Sequence, residues 1–339
     1  MVLALFCKCI AICVDLVDDY STADMTEMKR QHFNEFIIKY RNLRRIYGMD
    51  LRSILDHLIQ WYGSDGAEEG EKMCAKWRES VVYSLIAYEF KCEIKQLVPK
   101  FIPNLDSLLH HYYKRDKSLI ALCEDNHMSY AIACQHILQH HNNYDKNLCK
   151  TLSTNTSLIS DGRLAFDVML CNVNDIIFGN HCNHMTNNTG IVFESEVSHH
   201  LNRHDVSYMS ESQLRTDSFD VTPDFKLNLP LIVKISKTNS SDICLIKTNH
   251  YFDQKLPQLM ETSDESDYEI VVINWIECKS MFASELCHSK YYRNQYSSYI
   301  NRFGNGLVLY KYGFVNHIRQ QFKHNIIVSH RLPPILQSH

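Results

Sequence analysis

The spacing of apolar positions changes part-way along the chain. From about residue 24 to 150, apolar residues recur at helical intervals, as Val81, Leu85 and Tyr88 do, and strand-like alternation is almost absent. This spacing predicts a helical N-terminal half. From Thr222 onward, polar and apolar residues alternate with a period of two, which predicts the start of a sheet.

Two short helices are predicted over residues 118–141, with a polar turn between them near Asp125 and Asn126. Such a pair fits a helix-turn-helix that reads DNA. It also fits an ordinary helical hairpin, which is the commoner structure. Because no side chain in the segment decides between the two, both interpretations stay open.

The polar segment 151–160 is rich in serine and threonine, which is typical of a linker. Asp161 follows it as the predicted cap of a new helix. A chain of 339 residues is long enough for two domains. We therefore expect a helical domain over residues 1–155 and an α/β domain over residues 156–330. Within the second domain, a His/Asn-rich loop is expected to precede a helix that begins near Phe193.

Composition sets limits on the class of protein. The formal net charge of −4 argues against a constitutive, charge-driven coat on nucleic acid, although a local basic groove remains compatible with it. Thirteen cysteines, an odd number, favour free thiols in a reducing, intracellular compartment. The apolar N-terminal 20 residues are interrupted by Lys8 and Asp15, so we expect a buried helix or a targeting segment rather than a membrane span.

Charged side chains end an otherwise apolar strand. The run EIVVINWIECK is apolar on both faces up to Ile276, after which Glu277 and Lys279 emerge on one face, and Asp224 begins an earlier alternating strand. Two carboxylates are hard oxygen ligands for Mg²⁺, which activates water for phosphodiester hydrolysis. A lysine can orient or deprotonate that water. The alternative is a structural Glu/Lys ion pair at a strand end.

Pro223-Asp224 followed by Glu277-Cys278-Lys279 resembles the PD-(D/E)xK nuclease signature. The longer run, with TPDF, WIECK and NRFGNGLVLYKYGF, resembles the codanin-interacting nuclease family of animals. This resemblance implies an α/β fold. In that fold, a helical N-terminal domain is followed by a restriction-endonuclease-like domain with a mixed central sheet flanked by helices.

The resemblance also assigns site residues. The metal ligands and the catalytic lysine carried over by matching positions are Asp224, Glu277, the backbone carbonyl of Cys278, and Lys279. Such nucleases usually add a glutamate from the first core helix, and both Glu194 and Glu196 match the family. On a helical wheel of about 100° per residue, Glu194 lies nearer the apolar line of that helix. Both glutamates are retained as candidates.

A further helix is predicted over residues 283–303, with a polar and aromatic stripe along it. The stripe consists of His288, Tyr292, Gln295, Tyr299 and Arg302. Gln295-x-x-x-Tyr299 resembles the glutamine-plus-tyrosine motif of resolvase-like nucleases, which implies a catalytic role for Gln295. Lys290, Arg293 and Arg302 either contact phosphates or are simply solvated.

Relative to the family, residues 234–268 form a polar insertion, which we expect to be a mobile acidic loop. A group of His and Cys side chains could suggest a zinc site: His181, Cys182, His184, His199, His200 and His204. No paired Cys-x-x-Cys occurs, and adjacent ligands rarely suit one zinc ion, so the sequence disfavours this idea.

The sequence thus predicts a nuclease that uses Mg²⁺ or Mn²⁺ and hydrolyses DNA or RNA. The resemblance implies codanin as a protein partner and a location in the nucleus, the cytoplasm or both; no membrane association is expected. The alternative is a nuclease-fold scaffold with weak catalysis, whose main role is to bind codanin in a chromatin- or erythroid-linked complex.

Overall fold

The computed structural model describes six stretches of the chain: residues 27–64, 75–142, 145–237, 243–247, 268–321 and 325–337. The prediction for the N-terminal 20 residues lies outside them. The chain divides into two compact units, one within Asn34–Asn188 and one formed by Thr189–His339 with the segment Asp24–Phe33. This division reflects packing, and the predicted domain boundary at residues 155–156 stays a prediction.

The N-terminal half is helical, as its apolar spacing predicts. Its helices are α1 (Arg30–Tyr47), α2 (Leu51–Ser64), α3 (Ala75–Phe101), α4 (Leu105–Tyr113), α5 (Leu119–Asp125), α6 (Tyr130–Asn142), α7 (Lys146–Thr154) and α8 (Gly162–Asn174). The predicted cap is confirmed at Asp161, whose carboxylate accepts the backbone N–H groups of Arg163 and Leu164.

The pair α5 and α6 matches the two helices predicted over residues 118–141. A helix that reads DNA presents its N-terminal residues to base edges. Tyr130 and Ala131, the first two residues of α6, are both buried. This burial favours the helical-hairpin interpretation.

The predicted linker is wrong in its first half. Residues 151–154 continue α7, and Leu152 and Ser153 are buried. A short 3-10 turn follows at Thr156–Leu158. The composition of this segment is polar. Cys149 and Leu152, which are three residues apart, nevertheless lie buried on one helix face. An analysis of composition alone does not detect so short an apolar repeat.

The predicted His/Asn-rich loop before Phe193 is also wrong. A single helix, α9, runs over Asn180–Arg203 and includes that stretch. Its first part is largely exposed, so it carries no apolar period that sequence analysis can detect. Phe193, Val197 and Leu201 in its second part are buried.

The C-terminal unit contains a mixed sheet. Its strands are β2 (Tyr208–Ser210), β3 (Phe225–Ser236), β4 (Ile243–Lys247), β5 (Tyr268–Lys279), β6 (Gly306–Tyr310), β8 (Ile326–Ser329) and β9 (Ile335–Gln337), while β1 (Glu27–Met28) and β7 (Phe314–Val315) form a separate parallel pair. The order is β8-β6-β5-β3-β4-β9, and β2 pairs with β3. The flanking helices are α10 (Glu211–Thr216), α11 (Glu285–Tyr291), α12 (Ser297–Phe303) and α13 (His317–Gln321).

The fold class is confirmed: helices come first, and a mixed central sheet flanked by helices follows. β5 is antiparallel to β3 and parallel to β6. Ile273, Trp275 and Ile276 of β5 are fully buried, as expected for a central strand covered on both faces. Ile273 and Ile276 belong to one core cluster with the buried residues of α9.

Two described parts of the segment 234–268, predicted as a mobile acidic loop, belong to strands. Lys234 and its neighbours still belong to β3, and Ile243–Lys247 is a full strand between β3 and β9. Residues 248–267, which hold the acidic end of the segment, lie outside the described residues. Within the described stretches, no helix combines the length and apolarity that a membrane crossing requires.

Candidate active site

Asp224 and Glu277 lie opposite each other at the ends of two paired strands. In the antiparallel ladder, Phe225 pairs with Ile276, so the next residues outward are Asp224 and Glu277. The backbone N–H of Asp224 donates to Glu277 Oε2 at 3.3 Å. The N–H of Cys278 donates to Asp224 Oδ2 at 2.7 Å. These bonds hold both carboxylates against the sheet.

Lys279 lies on the same face of β5 as Glu277. Its Nζ is 2.5 Å from Glu277 Oε1, and its side chain is 17% exposed against 2% for Glu277. Burial lowers the pKa of Lys279, but the negative charges of Glu277 and Asp224 outweigh burial and the pKa is raised. The predicted Glu/Lys ion pair therefore exists, and it lies beside a second carboxylate.

Gln295 joins this group from the helical side. Its Nε2 donates to Glu277 Oε1 at 2.9 Å and to the hydroxyl oxygen of Tyr299 at 2.7 Å. The Tyr299 hydroxyl donates to the backbone carbonyl of Thr222 at 3.1 Å. A chain of hydrogen bonds thus runs from the end of β5 to the residues that precede β3.

The helix predicted over residues 283–303 is interrupted. Between α11 and α12, residues Tyr292–Tyr296 form a π-helix. Such segments are rare and recur at functional sites. Sequence periodicity missed this one because five residues are too few to separate a π period from an α period.

The structure separates the two candidate glutamates of α9. Burial, followed by the negative charges of Asp224 and Glu211, raises the pKa of Glu194 to about 7, so Glu194 lies within electrostatic range of Asp224. Glu196 instead pairs with Lys311, with its Oε2 3.7 Å from Nζ.

Glu211 is a carboxylate that sequence analysis did not single out. It begins α10, its N–H donates to the carbonyl of Asp224 at 3.2 Å, and its side chain pairs with Arg215 at 2.6 Å. The sequence contains one usable signal, the capping box of Ser210 and Gln213 that starts this helix. The closeness of Glu211 to Asp224 depends on the pairing of β2 with β3. That pairing cannot be recognised in the sequence, because β2 is short.

Several carboxyl groups with raised pKa values lie near a single lysine here. Burial and the charge of Asp224 raise the pKa of Glu277 to about 8. Burial also raises the pKa of Asp224. Together with Glu194, these groups would each be easier to ionise beside an additional cation.

The donor set fits a hard divalent cation in part. Mg²⁺ is commonly held by one or two carboxylates and several waters. Asp224 and Glu277 provide such a pair, and a cation beside them would favour their ionised forms. In the described part of the chain, no three His, Cys, Asp or Glu side chains converge on one metal position, so water and backbone oxygen would complete the coordination. The ligand role of the Cys278 carbonyl stays a prediction.

The other residues singled out on the predicted helix 283–303 have different surroundings. His288 is fully buried and its Nδ1 hydrogen bonds with the hydroxyl of Tyr310 at 2.9 Å. Lys290 and Arg293 are exposed. Arg302 pairs with Asp220 at 3.5 Å. His288 is thus a core residue, and the three basic side chains lie on the surface.

Comparison with curated proteins finds relatives that are named as nucleases. It is 26% identical to the mouse protein "CDAN1-interacting nuclease 1" over 271 residues, covering 75% of this chain and 83% of the relative. The human protein of that name is 27% identical over 256 residues, covering 71% and 78%. The Xenopus tropicalis protein is 29% identical over 191 residues, covering 56% and 52%. No solved structure matches the chain significantly.

A family model described as "Protein of unknown function TPD sequence-motif" matches residues 160–252 and 238–332. The two matches overlap and together span residues 160–332, slightly more than half of the 339 residues. The tripeptide Thr222-Pro223-Asp224 is present within this region, and its aspartate is the carboxylate that faces Glu277. The chain belongs to the family described by the TPD sequence motif.

Proposed function

We propose that this protein is a metal-dependent nuclease that hydrolyses phosphodiester bonds, with Asp224, Glu277 and Lys279 at its catalytic centre. The observation that supports this most strongly is the pair of carboxylates at the ends of β3 and β5, Glu277 buried and Asp224 half-buried, held by backbone N–H groups beside one ammonium group. The PD-(D/E)xK-like spacing of the sequence and the names of the relatives agree with it.

Asp224, Glu277 and the Cys278 carbonyl would hold Mg²⁺ or Mn²⁺, with Glu194 nearby. When bound, the ion would supply Lewis-acid polarisation of the phosphate and lower the pKa of an attacking water. The N–H of Cys278 keeps Asp224 oriented, and Gln295 does the same for Glu277. The charged Lys279 would orient the water and stabilise negative charge on the phosphate.

The proposed substrate is nucleic acid, DNA or RNA. Lys290, Arg293 and Arg302 would contact its phosphates, because they project from the helices that follow the catalytic strand. The proposed protein partner is codanin, as the name of the relatives suggests. A location in the nucleus, the cytoplasm or both accompanies this proposal.

One observation favours a second candidate. The 2.5 Å ion pair between Lys279 and Glu277 satisfies both groups without a metal or a substrate. A nuclease-fold scaffold that binds codanin, with weak or no catalysis, would retain such a pair for structural reasons.

The deciding experiment is cleavage of labelled single-stranded, duplex and branched DNA and of RNA, with Mg²⁺ or Mn²⁺. Lys279→Met is compared with Lys234→Met, which removes a lysine of β3 whose Nζ lies 4.0 Å from the ring centroid of Tyr268, towards the other end of the sheet. We expect metal-dependent cleavage that falls roughly 100-fold or more in Lys279→Met alone.

Equal cleavage by both lysine variants would overturn the catalytic assignment. A folded protein that cuts no substrate but binds codanin would support the scaffold. For the nuclease, we expect Asp224→Asn to lose cleavage and to retain codanin binding in a pull-down with purified partner.

A further inference from the structure

Lys279 contacts two different groups. Its Nζ lies 2.5 Å from Glu277 Oε1 and 5.0 Å from the centroid of the Tyr291 ring. A lysine ammonium has three donors on a flexible stem, so one carboxylate contact leaves it free to rotate. An aromatic face attracts the cation from a second direction and accepts no proton from it. The ring therefore restricts where the ammonium can lie.

The Tyr291 ring is itself held in place. It stacks on Tyr296 with centroids 6.0 Å apart and planes 20° apart. Tyr296 is fully buried, and its hydroxyl is 3.2 Å from that of Tyr310. Tyr310 in turn hydrogen bonds with buried His288 at 2.9 Å. A half-exposed ring is thus anchored to a buried polar network.

The π-helix makes this stack possible. Tyr291 ends α11, and Tyr296 is the last residue of the π segment, five positions later. Around a regular α-helix, residues five apart lie about 140° apart, at about 100° per residue. The i to i+5 bonding of a π turn brings such residues back to one side.

We propose that Tyr291 is a positioning residue, whose ring face fixes the Lys279 ammonium beside Glu277. Tyr296 and the π segment hold the Tyr291 ring in the position that this contact with Lys279 requires. The catalytic consequence rests on the proposed nuclease function, whereas the ring-to-ammonium contact does not. Neither the spacing of Glu277 and Lys279 nor the Gln295–Tyr299 motif assigns a role to Tyr291.

The contact can be tested by NMR without any substrate. An aromatic ring shifts protons above its face upfield, so the ε-methylene signal of Lys279 should lie upfield of the main group of lysine signals. Its absence in Lys279→Met identifies it. We expect the shift to persist in Tyr291→Phe, which retains the ring face, and to disappear in Tyr291→Leu. A Lys279 signal at an ordinary position in the unmodified protein would overturn the proposal, whatever the variants do.

A matched control comes from the second lysine-tyrosine pair of the sheet. Tyr268→Leu should move the signal of Lys234, 4.0 Å from that ring centroid, and leave Lys279 unchanged. If Tyr291→Leu leaves the Lys279 signal in place while Tyr268→Leu moves that of Lys234, the contact assigned to Tyr291 is wrong.

Kinetics then test the consequence. In Tyr291→Leu, we expect kcat to fall about tenfold, as loss of a desolvated cation–π contact would produce, with KM and the metal dependence unchanged. Tyr291→Phe and Tyr268→Leu should cleave normally. An equal loss in Tyr291→Phe would assign the effect to the hydroxyl and overturn the ring-face role. If the NMR shifts behave as expected but no substrate is cut, the proposed function fails and the contact stands.

Discussion

Gly306 lies directly beside the indole ring of Trp275. The β5–β6 ladder pairs the two residues, and a Cβ built on Gly306 would lie 2.1 Å from Trp275 Cε2. The ring packs edge-on against Tyr299, with centroids 5.2 Å apart, and its Nε1 donates to the carbonyl of Gly304 at 2.8 Å. Trp275 thus connects the end of β5 to the tyrosine that reaches Thr222.

Gly306→Ala should therefore destabilise the protein. The added methyl group has no space unless the indole moves, which we expect to lower the free energy of unfolding by about 1–3 kcal/mol. Urea unfolding measures this. Gly190→Ala is the control, because nothing lies within 4 Å of a Cβ there and alanine favours a helix, so stability should stay equal or rise by up to about 1 kcal/mol. The same loss in both variants would contradict the steric account.

Measurements of metal binding and stability together should distinguish the roles of the two candidate glutamates, Glu194 and Glu196. We expect Mg²⁺ or Ca²⁺ to raise the melting temperature of the unmodified protein, because ligands that bind the folded state stabilise it. Glu194→Gln should weaken this increase. Glu196→Gln should keep it but lower the basal stability by about 3 kcal/mol, because it leaves buried Lys311 without its carboxylate. A weakened metal response in Glu196→Gln alone would reverse the assignment.

His288 should make the protein sensitive to acid. Burial lowers its pKa to about 4, below its ordinary value of 6.5. Between these values the unfolded chain binds a proton that the folded protein does not, so stability present above pH 6.5 is lost as the pH falls towards 4. We expect a loss of up to about 3 kcal/mol that is absent in His288→Gln. Urea titrations at several pH values measure it, with exposed His110→Gln as the control; identical profiles for all three proteins would contradict this.

Asp175 should be a principal stabilising residue of the helical unit. Its buried carboxylate accepts hydrogen bonds from the Ser129 hydroxyl and from the backbone N–H groups of Ala131, Ile177 and Phe178. Asp175→Ala leaves these buried donors without an acceptor, which we expect to cost about 3 kcal/mol or more.

The control for this prediction is Asp145→Ala. Asp145 also accepts two backbone N–H groups, but it is exposed at the start of α7, so its loss should cost only about 1 kcal/mol. Chemical denaturation of both variants measures the difference. Similar costs would indicate that burial does not set the energy of the Asp175 hydrogen bonds.

Much of the candidate site could be predicted from the sequence, because its main residues lie at the ends of strands with a strong hydrophobic pattern. The long strand β5 is apolar on both faces, so Glu277 and Lys279 are conspicuous at its end. The opposition of Asp224 to Glu277 follows only from strand register, which the resemblance implied and the ladder displays.

The remainder depended on contacts between distant segments. The strands β2, β8 and β9 have three or four residues each, too few to carry a period. β4 lies within a polar stretch, and its pairing with β3 and β9 makes it a strand. Glu211 and Tyr291 were missed for the same reason: their neighbours at the site come from other elements.

The π-helix at Tyr292–Tyr296 accommodates one residue more than a regular helical turn. Because a π turn closes from i to i+5 and an α turn from i to i+4, removing one residue there would leave a continuous α-helix and keep the residues beyond it on nearly the same side. Tyr299, in α12, would then still face Thr222, whereas Gln295, inside the segment, would shift relative to Glu277. A homologous chain that lacks one residue here could therefore keep α12 in place and lose only the contacts made from within the π turn.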